Sequence, residues 1–309
     1  HIAKVRDRVA LWVLGSALDA VLAAGLEPDL IITTDAALYA AEYVRAATTG
    51  DSKWPIASPF TSARGMGDRA SIWALTQEDA FEQLLFAGLP APPTVAPAHG
   101  TVTGTATLIA LALEPWPVIL AGADFAFNGL RSHARPHLAH DYRDWAATRY
   151  TPALTAAYAR ARSLVSLDLE WKTSRALKIY ADWFARAAEA EFRLARLLPP
   201  PAGRGMRTIE PVELASLPRA FSRCRFRPVA WPGEREREER VARTLVQCSA
   251  SVEKIGDGSQ SLDPLQSFLL RRLAVSPLLQ WRRTGSANHL KEAASTAIDC
   301  LHELREAWT

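Results

Sequence analysis

The chain has 309 residues, of which 49% are hydrophobic, and it carries a formal net charge of +3. This length and composition favour one large or two modest globular domains over a disordered chain. The charge is too small to indicate nucleic-acid binding. No apolar run reaches the ~18 residues of a membrane span, and no signal peptide is recognised. Because the three cysteines lack metal-ligand spacing, we expect free thiols and a cytoplasmic protein.

Short apolar runs alternate with helical stretches in the first part of the chain, a pattern typical of βαβ units and a parallel sheet. Strands are predicted at residues 10–14, 30–33, 54–58, 71–75 and 117–121. Helices are predicted at residues 17–24, 36–47, 77–87 and 105–113, the third of them capped by Thr76. Residues 59–69 are expected to form a loop.

From about residue 141 the sequence favours long helices rich in Ala, Arg and Leu. A strongly helical stretch is predicted over residues 175–197, followed by a short strand at 208–212 and amphipathic helices at 235–254 and 262–308. The charge run at 234–240 mixes both signs and predicts a solvated helix face. We expect an α/β core over residues 1–140, a helical continuation over 141–230 and a helical C-terminal region over 231–309.

Polar residues follow two predicted strands, and a threonine-glycine segment precedes an apolar helix. Asp35 follows the second strand, and Gly122 and Asp124 follow the strand at 117–121. The segment at 100–104 contains Thr101, Thr103 and Gly104. Ligands of open parallel sheets bind beyond the carboxyl ends of the strands, so we expect a site here.

The segment at 100–104 admits two interpretations. Glycines let a ligand approach the backbone, and a helix N-terminus offers free N–H groups to a phosphate or carboxylate. Alternatively, Thr101 or Thr103 simply caps the helix. The segment is neither a Walker loop nor a GxGxxG fingerprint, so it does not support P-loop ATP or NAD chemistry. Asp35 and Asp124 likewise have a ligand-binding and a capping interpretation.

Residues 132–137 read SHARPH and contain two histidines that flank Arg135. His133 or His137 is a candidate general base, and Arg135 a candidate partner for a negative group. A plain loop role is the alternative. Four of the seven histidines lie between His99 and His140. Their spacing, in a proline-containing loop, does not favour a zinc site.

Two segments resemble hallmarks of the motility accessory factor family. They are GLEPDLIITTDAAL, residues 25–38, and TVTGTATLIALALEPWPVILAGADFAF, residues 101–127. The second is also similar to the core of bacterial lipooligosaccharide sialyltransferases. A third and weaker motif of the family fits Lys172, Thr173 and Ser174, which are followed by a helix. Taken together, the resemblance covers about residues 8–215. It implies a Rossmann-like, mostly parallel sheet with helices on both faces, a helical C-terminal region and a nucleotide-activated donor at the carboxyl edge.

The sequence departs from this family at one place. Family members carry a Gly-x-Gly-Pro-Ser-Leu loop after their first strand, and this sequence has none. It begins with His1 and enters a predicted strand almost at once. Either an N-terminal segment of the native protein is missing here, or this member has lost part of the site.

The resemblance implies a transferase that moves a nonulosonic acid from a CMP donor to protein Ser or Thr, with flagellin as the candidate acceptor and no required cofactor. Asp35 and Asp124 would position the nucleotide, and Asp124 would also belong to the catalytic residues. His133 or His137 would be the general base. Arg135 would face the donor carboxylate. The other expected donor contacts are Thr101, Thr103, Gly104, Gly122, Lys172, Thr173 and Ser174.

Two alternatives remain open at this point. One is a 6-hydroxymethyl-dihydropterin diphosphokinase that uses ATP and Mg²⁺, with Asp35 and Asp124 at the metal. The other is a catalytically silent nucleotide-binding protein of the flagellar system, which the absent glycine-rich loop favours.

Overall fold

The structure is a computed structural model that describes residues 1–35, 38–49, 54–59, 72–89, 93–97, 99–113, 117–198, 205–217, 232–255 and 261–307. The chain divides into two compact units, residues 1–75 with 96–229 and residues 76–95 with 230–309. The predicted division at residues 140 and 230 stays a prediction. Most of the expected loop at 59–69 and Cys224 lie outside the described residues.

A five-stranded sheet has its strands in the order β1-β2-β3-β4-β5. The first four are parallel, with Val13 opposite Ile31, Ile31 opposite Ile56 and Ile56 opposite Ile72. These strands form where short apolar runs were predicted. Their bounds are β1 Trp12–Leu14, β2 Leu30–Ile32, β3 Ile56–Pro59, β4 Ile72–Thr76 and β5 Thr94–Val95.

Helices cover both faces of this sheet, which confirms the predicted α/β class. Side chains alternate along a strand, so Ile31 packs with Leu18 and Val44 on one face, whereas Ile32 packs with Ala106 and Ile109 on the other. The helix predicted at 36–47 is present as two shorter helices. The helices are α1 Leu18–Ala23, α2 Leu38–Tyr43, α3 Arg45–Thr48 and α5 Val102–Leu113.

Two three-stranded sheets complete the first unit. One is parallel, in the order β11-β10-β6, and the other is antiparallel, in the order β7-β9-β8. Their strands are β6 Val118–Ala121, β7 Phe127–Asn128, β8 Val165–Ser166, β9 Trp171–Thr173, β10 Leu194–Leu197 and β11 Thr208–Ile209. Three helices lie between them in the chain, α6 Leu138–Trp145, α7 Thr155–Ala161 and α8 Arg175–Ala190.

The helix expected at 175–197 is therefore too long. It ends at Ala190, and Leu194 and Ala195 are buried in β10, which pairs with β6 and β11. The Ala, Arg and Leu of this segment favour a helix locally, but strand pairing in the parallel sheet outweighs that small preference. The mainly helical character expected after residue 141 is likewise interrupted by β8 and β9, which were not predicted.

The second unit is mainly helical, as predicted for the C-terminal region. Its helices are α4 Ala80–Leu85, α9 Glu234–Glu253, α10 Pro264–Leu273, α11 Val275–Thr284 and α12 Ala287–Glu306. Thr76 is not the cap of α4. The carboxylate of Asp79 accepts from the Glu82 N–H at 2.9 Å, while the Thr76 hydroxyl donates to the Glu82 carboxylate at 2.8 Å.

The mixed charge run at the start of α9 is mostly solvated. Arg235 pairs with Glu239 at 2.9 Å and Arg240 with Glu236 at 3.0 Å, each at i,i+4 spacing. Arg237 is buried instead and donates to the Pro232 carbonyl at 2.9 Å. Within the described residues, no helix is both long and apolar enough to cross a bilayer.

The two described cysteines are free thiols. Cys248 is fully buried in the second unit, and burial raises the pKa of its thiol to about 11. Cys300 is half-buried. Since the thiolate is the reactive form, Cys248 is a core residue and no candidate nucleophile.

Candidate functional site

The threonine-glycine segment forms the start of α5, which begins at Val102, three residues earlier than predicted. The hydroxyl oxygen of Thr101 accepts a hydrogen bond from the Gly104 N–H at 2.9 Å, so Thr101 caps the helix. Thr103 lies in the first turn. Among the described residues, the N–H groups of Val102 and Thr103 have no hydrogen-bond acceptor. Within the described part of the chain, this turn therefore leaves two backbone donors without an acceptor at the positive end of the helix.

Gly104 makes room for His99. A Cβ at this position would overlap the His99 ring, so only glycine allows the ring to lie against the helix. His99 in turn contacts Trp183 edge-on, with ring centroids 3.9 Å apart, and its Nδ1 lies 3.2 Å from the Thr101 hydroxyl. His99 was given no role from the sequence, although it contacts Thr101 and Gly104, which are close to it in the chain.

The segment at 171–184 joins this turn to the end of β6. The Thr173 hydroxyl donates to the Phe125 carbonyl at 2.8 Å, and the Tyr180 hydroxyl donates to the Gly100 carbonyl at 3.3 Å. Ser174 caps α8 by accepting from the Leu177 N–H at 3.2 Å. The threonine-glycine turn, residues 124–125 and the predicted motif at 172–174 thus lie together.

Asp124 and Gly122 follow β6 at this place. Gly122 has a φ of +71°, a left-handed conformation that favours glycine at the strand end. Asp124 is half-buried, and this burial raises the pKa of its carboxyl above the usual value. Phe125 packs against Phe184, with ring centroids 5.1 Å apart. We call the assembly of residues 99–104, 122–125 and 171–184 the α5 site.

The histidines form a second group in the same unit. His133 stacks on His137 with ring centroids 4.1 Å apart and an interplanar angle of 12°, and His140 lies 5.5 Å from His137. His137 and His140 are buried, with 2% and 5% exposure, whereas His133 is exposed. We call these three residues the histidine cluster.

The cluster lies near the carboxyl ends of β1 and β2. The ring of His137 is 5.4 Å from that of Tyr43 in α2. Tyr43 adjoins Gly15, which follows β1, since a Cβ on Gly15 would be 3.5 Å from the Tyr43 Cβ and 3.8 Å from the Thr33 Cβ. Thr33 follows β2 and accepts from the Asp35 N–H at 3.4 Å. Asp35 and Arg135 are both exposed, and their binding roles stay predictions.

All three histidines of the cluster have lowered pKa values. Burial, followed by the charges of His133, His140 and Arg143, lowers the pKa of His137 to about 4. Partial desolvation of its ring lowers the pKa of His133, and the charges of His140, Arg160 and Arg143 lower it further. The imidazoles are therefore neutral near pH 7. Accessibility favours His133 over His137 as a base, although the catalytic assignment of both stays a prediction.

Sequence reasoning missed several residues of this group. Tyr43 and His140 were given no role, yet their rings lie 5.4 and 5.5 Å from that of His137. Arg143 and Arg160 were given none either, although their charges lower the pKa of His133. The only signal in the sequence was the three-residue spacing of His137, His140 and Arg143. On a helix this spacing brings side chains next to one another on one face. The position of Arg160 depends on tertiary folding.

Comparisons with known proteins give two matches. No protein-family model matches the chain. Over 171 residues, 55% of this chain, the sequence is 28% identical to an uncharacterized protein of Treponema pallidum (strain Nichols), of which 36% is covered. The structure of MAf glycosyltransferase from Magnetospirillum magneticum AMB-1 matches 99% of this chain and 51% of that one, with a TM-score of 0.47 and 14% identity. The chain therefore spans about a third and about half of these proteins, respectively.

Proposed function

We propose that the protein is a nucleotide-dependent glycosyltransferase that moves a nonulosonic acid from a CMP donor to a serine or threonine of a protein, with flagellin as the candidate acceptor. The observation that carries this proposal is the convergence of a helix N-terminus, an acidic strand end and a Lys-Thr-Ser segment at the α5 site. Together these supply the donors and aromatic surfaces that a nucleotide needs.

The α5 site offers complementary groups to a nucleotide. The N–H groups of Val102 and Thr103, with the helix dipole, would suit the phosphate of CMP. Lys172 adds a positive charge in β9, close to Thr173. Tyr180 and Trp183 are half-buried and present ring surface against which a base can stack. Gly122 leaves space beside Asp124, which would accept from ribose hydroxyls.

The histidine cluster would act on the acceptor. In the proposed displacement, the acceptor hydroxyl oxygen bonds to the anomeric carbon while the bond from that carbon to the CMP phosphate oxygen breaks. CMP leaves with the electron pair, and the hydroxyl proton passes to His133. Because its pKa is lowered, His133 is already unprotonated at neutral pH. Arg135 would face the donor carboxylate and Asp35 the nucleotide, and alignment would provide much of the rate.

Thermal-shift measurements on the 309-residue chain with CMP, CDP, ATP–Mg²⁺ and pterins test the nucleotide specificity. CMP and CDP are expected to stabilise the fold by about 2.7 kcal/mol at a concentration a hundredfold above Kd. Lys172→Gln is expected to weaken CMP binding about tenfold, because a charge-assisted contact is lost. Lys178→Gln, an exposed lysine of α8, is the matched control. Stabilisation by ATP–Mg²⁺ alone would support the diphosphokinase, and no response to any nucleotide would contradict both enzymes.

His133→Ala is expected to lower turnover roughly 10²–10⁴-fold while CMP still stabilises the protein, since the base acts only in the chemical step. The measurement is release of CMP from a CMP-linked nonulosonic acid in the presence of acceptor protein. His302→Ala, on an exposed position of α12, serves as control. Full activity of His133→Ala would rule out this residue as the base.

A further inference from the structure

The hairpin of residues 165–173 places a strand edge beside the α5 site. β8 pairs antiparallel with β9, with Val165 opposite Thr173 and Ser166 opposite Lys172. Since the strands of this sheet follow the order β7-β9-β8, β8 is its outermost strand. Both Lys172 and Thr173 belong to the α5 site. The edge formed by β8 is therefore one strand away from residues that are proposed to bind the donor.

The backbone of Ser166 faces away from β9. The Leu167 N–H donates to the Trp171 carbonyl at 2.9 Å, so the backbone groups of residue 167 are directed towards β9. In an antiparallel pair, such residues alternate with residues whose N–H and C=O point outward, and Ser166 is one of these. Within the part of the chain that the structure describes, its N–H has no acceptor. An outward N–H and C=O on an edge strand are the groups that pair with an added strand.

The side chains of this segment are apolar at every second position and exposed. Val165, Leu167 and Leu169 are 65%, 41% and 104% exposed, respectively. A period of two is typical of a strand with one covered face. A single exposed apolar residue needs no explanation, whereas three neighbouring ones at strand spacing indicate a surface that another chain covers. Because the outward groups of Ser166 belong to the backbone, the cover that fits is an extended polypeptide.

The charge of the preceding segment indicates which polypeptide fits best. Residues 145–167 contain three arginines and no aspartate or glutamate. Two of these arginines, Arg160 and Arg162, are exposed and lie just before β8 in the chain. Asp168 lies beyond the other end of β8, where its carboxylate accepts two backbone N–H groups of the hairpin turn at 2.8 Å. The start of β8 is therefore positively charged and complements an acidic segment.

We propose that β8 binds an extended, acidic segment of a partner polypeptide as an added strand, paired through the backbone of Ser166 and with a carboxylate near Arg162. That this partner is the acceptor of the transfer rests on the proposed function, whereas the strand addition does not. The added strand would lie about 5 Å from β8 and about 10 Å from β9. A serine or threonine on it would therefore lie near the donor contacts Lys172 and Thr173. The short edge offers few hydrogen bonds, which suits a segment that must leave after each transfer.

The test is an NMR titration of the ¹⁵N-labelled 309-residue chain with a seven-residue peptide that alternates valine and threonine between two terminal glutamates. The expected result is a change in the amide signals of residues 163–168 and slower hydrogen exchange of the Ser166 N–H. The same peptide, N-methylated at its five central residues, is expected to bind about tenfold more weakly because it cannot donate to the edge. Equal binding of the two peptides, or no protection of Ser166, would overturn the proposal.

Ser166 also provides a matched pair of variants. Ser166→Pro removes the outward N–H without removing a bond to β9, whereas Ser166→Ala keeps this N–H and removes only the hydroxyl. Ser166→Pro is expected to weaken binding of the glutamate peptide about tenfold, and Ser166→Ala to leave it unchanged. Equal affinities of the two variants would overturn the proposal. If Ser166→Pro fails to fold, the N-methylated peptide decides with the parent chain.

Charge reversal tests the acidic character of the partner. Arg162→Glu is expected to weaken binding of the glutamate peptide about threefold and to strengthen binding of a peptide with terminal lysines by a similar factor. Arg283→Glu, an equally exposed arginine of α11, is the control and is expected to change neither. Equal effects of the two reversals would overturn the assignment of an acidic segment to this edge.

Other outcomes assign the edge differently. Protection of the Ser166 N–H without peptide that disappears on dilution would show that β8 pairs with a second copy of the chain, and would overturn the proposal. A CMP response without any peptide response would overturn this inference alone. A peptide response at β8 without any CMP response would refute the proposed function and leave the strand addition standing.

Discussion

Replacing Phe184 with alanine is expected to lower the free energy of unfolding by about 3–5 kcal/mol. Phe184 is completely buried in α8 and packs with Leu194 of β10 and Met206. Its ring also lies 5.1 Å from that of Phe125 and 6.0 Å from that of His99. Truncation would leave a cavity between α8 and β10 and remove the contact that holds residues 99 and 125 near each other.

Urea denaturation, followed by tryptophan fluorescence, measures this change. Phe192→Ala is the matched control, because Phe192 lies beyond the end of the same helix and is 83% exposed, so its loss is expected to change stability by less than about 0.5 kcal/mol. If the two variants were equally stable, Phe184 would not be the centre of this core. Phe184→Ala is also expected to weaken CMP binding, since the α5 site depends on the same packing.

The strands of the first sheet could be predicted because their signal is local. Leu30–Ile32 is an uninterrupted apolar run between turn residues, and all three side chains are buried. Leu194–Leu197 lacks such a signal. Its Leu, Ala and Arg are good helix formers, and it becomes a strand because β6 and β11 lie beside it. Pairing between distant segments is not visible in a local pattern.

The start of α4 shows an error that the sequence itself could have prevented. Thr76 and Asp79 are both good capping residues, but only Asp79 has a glutamate three positions later, at Glu82. That spacing is typical of a helix start. It identifies Asp79 as the cap and leaves Thr76 in β4.

The candidate site could be predicted in part because several of its residues have a local signal in the sequence. Thr101, Asp124 and Ser174 lie at the ends of elements, where parallel strands and helix N-termini converge, and strand order did not have to be known. The neighbours of His133 could not be found in this way. Arg160, whose charge lowers the pKa of His133, lies on another helix, and Gly104 is required by the ring of His99.

Acidification is expected to destabilise the protein through the histidine cluster, with His137 contributing most. Its pKa is about 4 in the folded chain, below the value near 6.5 of an unfolded chain. Between these two values the unfolded state binds the proton and the folded state does not. The stabilising contribution is therefore complete above pH 6.5, is lost as the pH falls towards 4, and amounts to about 3 kcal/mol. The lowered pKa values of His133 and His140 act in the same direction.

Urea denaturation at about pH 7.5 and pH 5 tests this expectation, since about 2 kcal/mol of the His137 contribution falls in that interval. His137→Gln cannot titrate, so its stability should depend less on pH than that of the parent chain, even if it is less stable at pH 7.5. His302→Gln, exposed on α12, should keep the parent slope. An unchanged slope in His137→Gln would show that His137 is protonated equally in both states. The buried imidazole would then not be the group that opposes folding in acid.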